Sequence, residues 1–347
     1  GSARVGHRRA NTMIRYVIRR SIGGLLVLLV TSFVTFFIFQ VGPKIAHVSP
    51  ALFYVGKIPP TEAGQKLIEH RFGFDLPLWK QYFNWAGGII FGRDLGDDTG
   101  AVVHCAKPCL GYSFRQQLPV THMIRQALPV ELSIAFGAAA LWLLGGLTIG
   151  SISALKRGSF FDRTAMTMAL AAVSLPIFFT GPILLLVFKY KLKWLPNTAY
   201  ASITSDPAQW LKSMILPWFA LAFIFAALYA RLTRANMLET MSEDYVRTAR
   251  AKGLSRRTVV IKHGLRAALT PIVTIFGLDL GQLIGNAVIT ESVFNLPGLG
   301  LISIRAINSQ DLPVILGVTL VATFAVVVAN ILVDIGYAFV DPRVSYS

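Results

Sequence analysis

The chain has 347 residues, of which 54% are hydrophobic and only 14% charged, with a formal net charge of +16 and a mean hydropathy of +0.58. Soluble globular proteins carry about 25% charged residues. The missing charge argues against a large soluble protein with buried core helices and points to long uncharged segments set in lipid.

Taken in chain order, residues 1–12 read as a poorly ordered leader ahead of Met13, within a basic cytoplasmic segment 1–21. Residues 22–41 form a first charge-free run, too long for the apolar core of a signal peptide, and read as a retained span. Residues 42–131 read as a small extracytoplasmic subdomain rich in Pro, Gly and aromatics, with a short helix over 61–70 capped by Thr61. Its cysteines, Cys105 and Cys109, lie in His-Cys-Ala-Lys-Pro-Cys on the oxidising side, where a disulfide persists. Unpaired thiols are one alternative. A metal site with His104 is another, although two thiols and one adjacent His make a poor tetrahedral set.

The region 132–338 reads as the transmembrane domain, with further spans at 132–155, 164–188, 213–230, 267–290 and 312–333, and a tail at 339–347. At 1.5 Å per residue such runs cross a hydrocarbon layer of about 30 Å. The expected fold is an all-α membrane protein of six transmembrane helices. The segments that face inward if the N-terminus is inside (1–21, 156–163, 231–266, 334–347) hold 19 Lys and Arg, against five in the short outer loops 189–212 and 291–311. This asymmetry predicts cytoplasmic termini and attraction to anionic lipid, and it disfavours nucleic-acid binding. Pro176 and Pro182 predict kinks in the third span.

The cytoplasmic loop 231–266 is ordered by its own signals. Ser242 is a candidate N-cap, Glu243 and Asp244 suit a helix start, Arg250 and Lys252 a helix end, and Gly253 a stop. Ser255 then caps a second helix. Tyr245, Val246 and Ala249 give the first helix an apolar edge suited to a cleft on a soluble partner. In the fifth span Asp279, Gln282 and Asn286 share one face, and Gly277, Gly281 and Gly285 form a small-residue ridge roughly opposite. The glycines read as a packing face and the polar residues as lining a passage, with Asp279 bonded inside the bundle as the alternative. Asn330 and Asp334 read as interfacial or structural. The sequence carries no G-x-x-x-x-G-K-[ST] loop and no catalytic constellation, so no catalytic, metal or cofactor site is expected in this chain.

Tyr245-Val-Arg-Thr-Ala-Arg-Ala-Lys-Gly-Leu254 and Lys262-His-Gly-Leu-Arg-Ala-Ala-Leu-Thr-Pro271 resemble the coupling loop of bacterial binding-protein-dependent ABC importers. The B-type permease of the dipeptide and oligopeptide branch is the specific likeness. Arg15-Tyr-Val-Ile-Arg-Arg20, Phe72-Gly-Phe-Asp-Leu-Pro-Leu-Trp-Lys-Gln-Tyr82, Glu291-Ser-Val-Phe-Asn-Leu-Pro-Gly-Leu-Gly300 and Val340-Asp-Pro-Arg343 agree in order. Arg247 and Thr248 stand where the general loop has Glu and Ala, as in the peptide branch. Residues 97–110 read as an insertion. The resemblance implies an inner-membrane permease subunit whose coupling residues are Tyr245, Val246, Arg247, Ala249, Arg250, Ala251, Lys252 and Gly253. It also implies a second permease, two ATPase subunits or domains that hold ATP and Mg, a substrate-binding protein and a peptide cargo. Nickel chelates, glutathione or sugars are alternative cargoes. A self-contained carrier and an intramembrane enzyme are the readings from other classes.

Overall fold

A backbone in lipid must satisfy its polar groups within its own segment, so apolar runs of this length become helices. The computed structural model, which describes residues 2–45, 47–53, 66, 69–70, 72–96, 102–195 and 200–340, follows that rule. Its helices are α1 (Ser2–Ile45), α2 (Leu78–Phe91), α3 (Val120–Leu155), α4 (Phe160–Ser174) and α5 (Ile177–Leu184, continued by a π-helical turn to Lys191). Then come α6 (Pro207–Ser242), α7 (Asp244–Ala251) and α8 (Arg256–Thr258, continued by a π-helical turn to Leu265). The last are α9 (Arg266–Asn286), α10 (Val288–Phe294), α11 (Leu299–Asn308) and α12 (Leu312–Val340). Two short antiparallel pairs interrupt them, β1 (Arg93–Gly96) with β2 (Val102–Cys105), and β3 (Tyr112–Ser113) with β4 (Leu118–Pro119).

Among the described residues, five helical stretches are long and apolar enough to cross a membrane: Ile18–Pro43, Val120–Leu155, Pro207–Ser242, Arg256–Ile284 and Leu312–Leu332. A sixth is counted if α4 and α5, bent by 104° at their junction, form one span. The kink expected at Pro176 is thus a full break between two helices, whereas Pro182 lies inside α5. Pro176 supplies no N–H and forces the residue before it out of the helical region, so Leu175 is extended (φ −98°, ψ 112°) and α4 ends at Ser174.

Other boundaries also move. The backbone of 2–12 is helical rather than a loose leader. The fifth span stops at Asn286, and residues 288–290 open a separate helix. Residues 120–131, assigned to the extracytoplasmic subdomain, are the first turns of α3. The helix expected over 61–70, and residues 97–101 of the insertion, lie outside the described residues.

The described residues gather into two units. One comprises Arg20–Glu131 and Pro297–Val327. Its core sets Phe36 of α1 against Trp85 of α2 and Leu316 of α12. A second cluster joins Val120, Met123, Ile124 and Ala127 to Leu299, Ala306, Val314 and Val318. Ser113 Oγ donates to the Asp311 carboxylate, so a polar tie reinforces the same pairing. The described part of 42–131 thus packs on other parts of the same unit. Besides its own cluster around Cys105 and Cys109, its apolar faces are completed by the first span and by residues near 300–320.

The other unit comprises Leu132–Leu296 with the ends of the chain up to Arg19 and from Val328. Helix α6 is its hub. Close approach of α3 is possible because two positions lack a side chain. A Cβ on Gly146 would lie 2.5 Å from the Tyr229 Cβ, and one on Gly150 would lie 2.5 Å from the Ala230 carbonyl oxygen. Ala169 and Ala172 of α4 pack on Ala227. In the first turn of α4, Asp162 accepts from Arg234 Nε and Nη2 at 2.6 and 2.8 Å, a two-point pairing of a nearly buried carboxylate.

Candidate functional site

Helix α6 ends at Ser242, and Glu243 takes an extended conformation (φ −67°, ψ 148°) that turns the chain into α7. The expectation that Ser242 caps α7 is corrected. Its Oγ donates back to the Glu239 carbonyl within α6, and Glu243 holds the cap position with no side-chain cap bond. Serine at a helix end bonds readily to the preceding turn, and here that local bond wins.

Helix α7 has two turns. Val246 and Ala249 are three residues apart, share one face, and are 0% and 6% exposed. They pack on Val259 with Met241 alongside. This corrects the reading of an apolar edge offered to a partner. Val246 and Ala249 hold the helix to its own chain, and the face left to solvent carries Tyr245, Arg247, Thr248, Arg250, Ala251 and Lys252. Two basic side chains, an aromatic ring and Lys252 at the C-cap make this a cationic surface. Arg247 lies 3.6 Å from Asp244, an exposed pair of little energetic weight. The Tyr245 hydroxyl, held above its usual range by burial and the Glu243 carboxylate, makes a long 3.5 Å contact to the His263 carbonyl.

Gly253 closes the helix. Its N–H donates to the Arg250 carbonyl at 3.0 Å, and the Leu254 N–H donates to the Ala249 carbonyl at 3.4 Å. These two bonds define a Schellman stop, which needs a left-handed residue, and Gly253 has φ +73°. No atom would touch a Cβ there, so the requirement for glycine is conformational rather than steric. Ser255 caps the next helix by accepting from the Thr258 N–H at 3.3 Å.

In α9 Asp279 accepts a 2.8 Å hydrogen bond from the Tyr229 hydroxyl of α6. Tyr229 is fully buried beside Trp142, whose ring stacks on Phe225 at 4.6 Å. Gln282 is exposed. Asn286 ends α9, and its side chain lies outside the described residues, as does that of Asp334. Gly281 meets α12, where a Cβ would lie 3.0 Å from the Ala329 Cβ and 3.5 Å from Asn330 Oδ1. Gly277 is buried on the same helix, with Gly285 two turns on.

Cys105 and Cys109 are bonded to each other, with their Cα atoms 5.4 Å apart. Both are buried with Leu95 and Phe114, flanked by Phe72 and Tyr112. His104 turns away from the sulfurs and pairs through Nδ1 with Asp94 Oδ1 at 2.6 Å across the β1–β2 pair, so the His104 metal reading is set aside.

Residues 146–346 match the profile of the binding-protein-dependent transport system inner membrane component, and residues 13–135 match the N-terminal profile of that membrane component. The chain belongs to this family. It is accordingly a multi-pass permease component of the inner membrane. A relative from Brucella suis described as a peptide permease protein is 36% identical over 336 residues, 96% of this chain and 99% of its own. A relative from Sinorhizobium fredii described as a peptide ABC transporter permease protein is 32% identical over 333 residues, 95% of this chain and 99% of its own. The di/tripeptide transport system permease protein DppB of Pseudomonas aeruginosa is 39% identical over 298 residues, 80% of this chain and 84% of its own.

Three features of the permease escaped the sequence reading. Tyr229 as partner of Asp279 is separated from it by 50 residues, and nothing local marks the pair. The Asp162–Arg234 pair spans 72 residues. The Gly146/Gly150 ridge did carry a signal, a four-residue glycine spacing inside an apolar run.

Proposed function

We infer that this chain is one permease subunit of an ATP-driven importer of di- or oligopeptides, forming half of the translocation path. Relatives named for peptide transport over nearly the whole chain support the cargo class. In this reading α4 and α5 make one span, six spans cross the membrane, and both termini are cytoplasmic, which agrees with the Lys and Arg asymmetry of the loops. Residues 42–119 then lie outside and the loop around α7 inside. A second homologous permease completes the pore, two ATPase subunits hold ATP and Mg, and a binding protein delivers peptide.

The observation that carries this reading is the α7–Gly253–α8 break. A short helix anchored by Val246 and Ala249 presents Tyr245, Arg247, Arg250, Ala251 and Lys252 on a rigidly stopped element. Such an element transmits force without needing chemistry of its own. The test is purification from native membranes in mild detergent, with mass spectrometry of what accompanies the chain. A homologous permease and ATPase subunits are expected. Vesicles that move substrate with this chain alone would overturn the reading.

Asp279 and Gln282, with Asn286, are proposed to face the path. Asn at position 279 keeps the acceptor for the Tyr229 hydroxyl and removes the charge. Asp279→Asn should therefore assemble normally and change peptide uptake. Loss of assembly in that variant would assign Asp279 to the bundle instead.

A further inference from the structure

Where α3 stops at Leu155 and α6 makes its last turns, the chain leaves a cavity of about 520 Å³ beside α7 and α8. That volume falls within the range of small-molecule sites. Its floor is apolar, with Leu155, Met237, Met241 and Val260 among its lining. Two cations, Arg250 and Arg256, line it from either side of Gly253, and none of the lining residues is acidic.

The depth of the cavity narrows the ligand. Leu155 is the last residue of a candidate span, and Lys156 and Arg157 follow it directly, so the apolar floor sits at the edge of the hydrocarbon layer. A molecule that suits both halves has a hydrocarbon tail and an anionic head. Guanidinium groups bind phosphate oxygens through paired, charge-assisted hydrogen bonds. Flexible methionines adapt to an acyl chain. Basic pockets between helices at the membrane boundary suit anionic headgroups.

We propose that this cavity binds one anionic phospholipid, its phosphate between Arg250 and Arg256 and an acyl chain along the floor of Leu155, Met241 and Val260. The arginines flank the Gly253 stop, so occupancy braces α7 against α8. Coupling in the assembled transporter then depends on the anionic lipid content of the membrane. The inference rests on the cavity and not on the identity of the cargo.

The test uses the assembled complex in vesicles of phosphatidylcholine with or without phosphatidylglycerol, followed by native mass spectrometry of retained lipid. The wild type should retain phosphatidylglycerol over phosphatidylcholine by about tenfold, because both carry the phosphate but the choline cation opposes the two arginines. R250Q/R256Q should lose the preference, while R247Q, which does not line the cavity, should keep it. If the double variant fails to assemble, V260W fills the floor, leaves both cations in place, and should also lose the lipid. A wild type without preference, or a preference that survives the double variant, overturns the proposal. Equal occupation by inorganic phosphate would make the cavity a free-anion site and overturn it as well. So would a double variant that keeps its lipid but no longer captures the ATPase subunits, which would mark a protein docking surface.

Discussion

Helix α7 buries only Val246 and Ala249 and gives the rest of its surface to solvent, whereas the hairpin at Cys105 closes a covalent loop and buries both sulfurs with Leu95 and Phe114. Each is a short element outside the long helices, and each would be marginal by itself. The hairpin region is fixed by a disulfide and an aromatic cluster, so its position depends little on any other subunit. The α7 helix is held by a small apolar contact and a glycine stop, an attachment strong enough to aim it and weak enough to leave a whole cationic face for a partner. If α7 couples to an ATPase as proposed, a fixed platform and an element that transmits motion call for different kinds of attachment.

Three variants sharpen this contrast, in falling order of expected effect. Arg234→Ala removes the partner of a nearly buried carboxylate at the base of the α4–α6 scaffold from which α7 projects. Breaking one side of such a pair costs about 3–5 kcal/mol, so thermal stability and assembly should fall sharply. Unchanged melting of this variant in detergent would mean that the scaffold does not rely on the pair. Replacing Cys105 and Cys109 together by Ala opens a loop with a sequence separation of only four. Loop-closure entropy for so short a link gives about 2 kcal/mol, and the loss should appear as lower melting with uptake retained at permissive temperature. If uptake vanishes while melting is unchanged, the hairpin acts in transport and the platform description fails.

Val246→Ala removes two buried methyl groups, worth about 1.5 kcal/mol of apolar burial. Its effect should be local. Hydrogen exchange of α7 amides should quicken while exchange in the hairpin stays as it was. Equal quickening in both regions would show that the two elements are not independently held.

Much of the molecule was legible in the sequence because lipid imposes a simple rule: long uncharged runs become helices. The Gly253 stop and the Ser255 cap were legible for a similar reason, since each is a local device written in one or two residue types. What failed did so where tertiary structure competes with local pattern. Val246 and Ala249 read as a docking edge because an apolar stripe cannot say whether its own chain or another covers it. Ser242 lost the cap to a bond within α6. The kink at Pro176 was legible in the proline itself, but not its sharpness of 104°. The Tyr229 partner of Asp279 was invisible because it lies on another helix.

The coupling claim is tested most directly at Gly253. Valine there must adopt φ near +73° or abandon the stop, at a cost of about 1–2 kcal/mol or more for a β-branched side chain. The surrounding space is open, so packing is untouched, and the apolar runs and loop charges that direct membrane insertion are unchanged. The measurement is reconstitution of Gly253→Val with its partner subunits, following assembly, ATP hydrolysis and peptide uptake in the same vesicles. The account predicts normal insertion with weakened ATPase binding, or hydrolysis that no longer moves peptide. Wild-type uptake per ATP hydrolysed by the valine variant would contradict it.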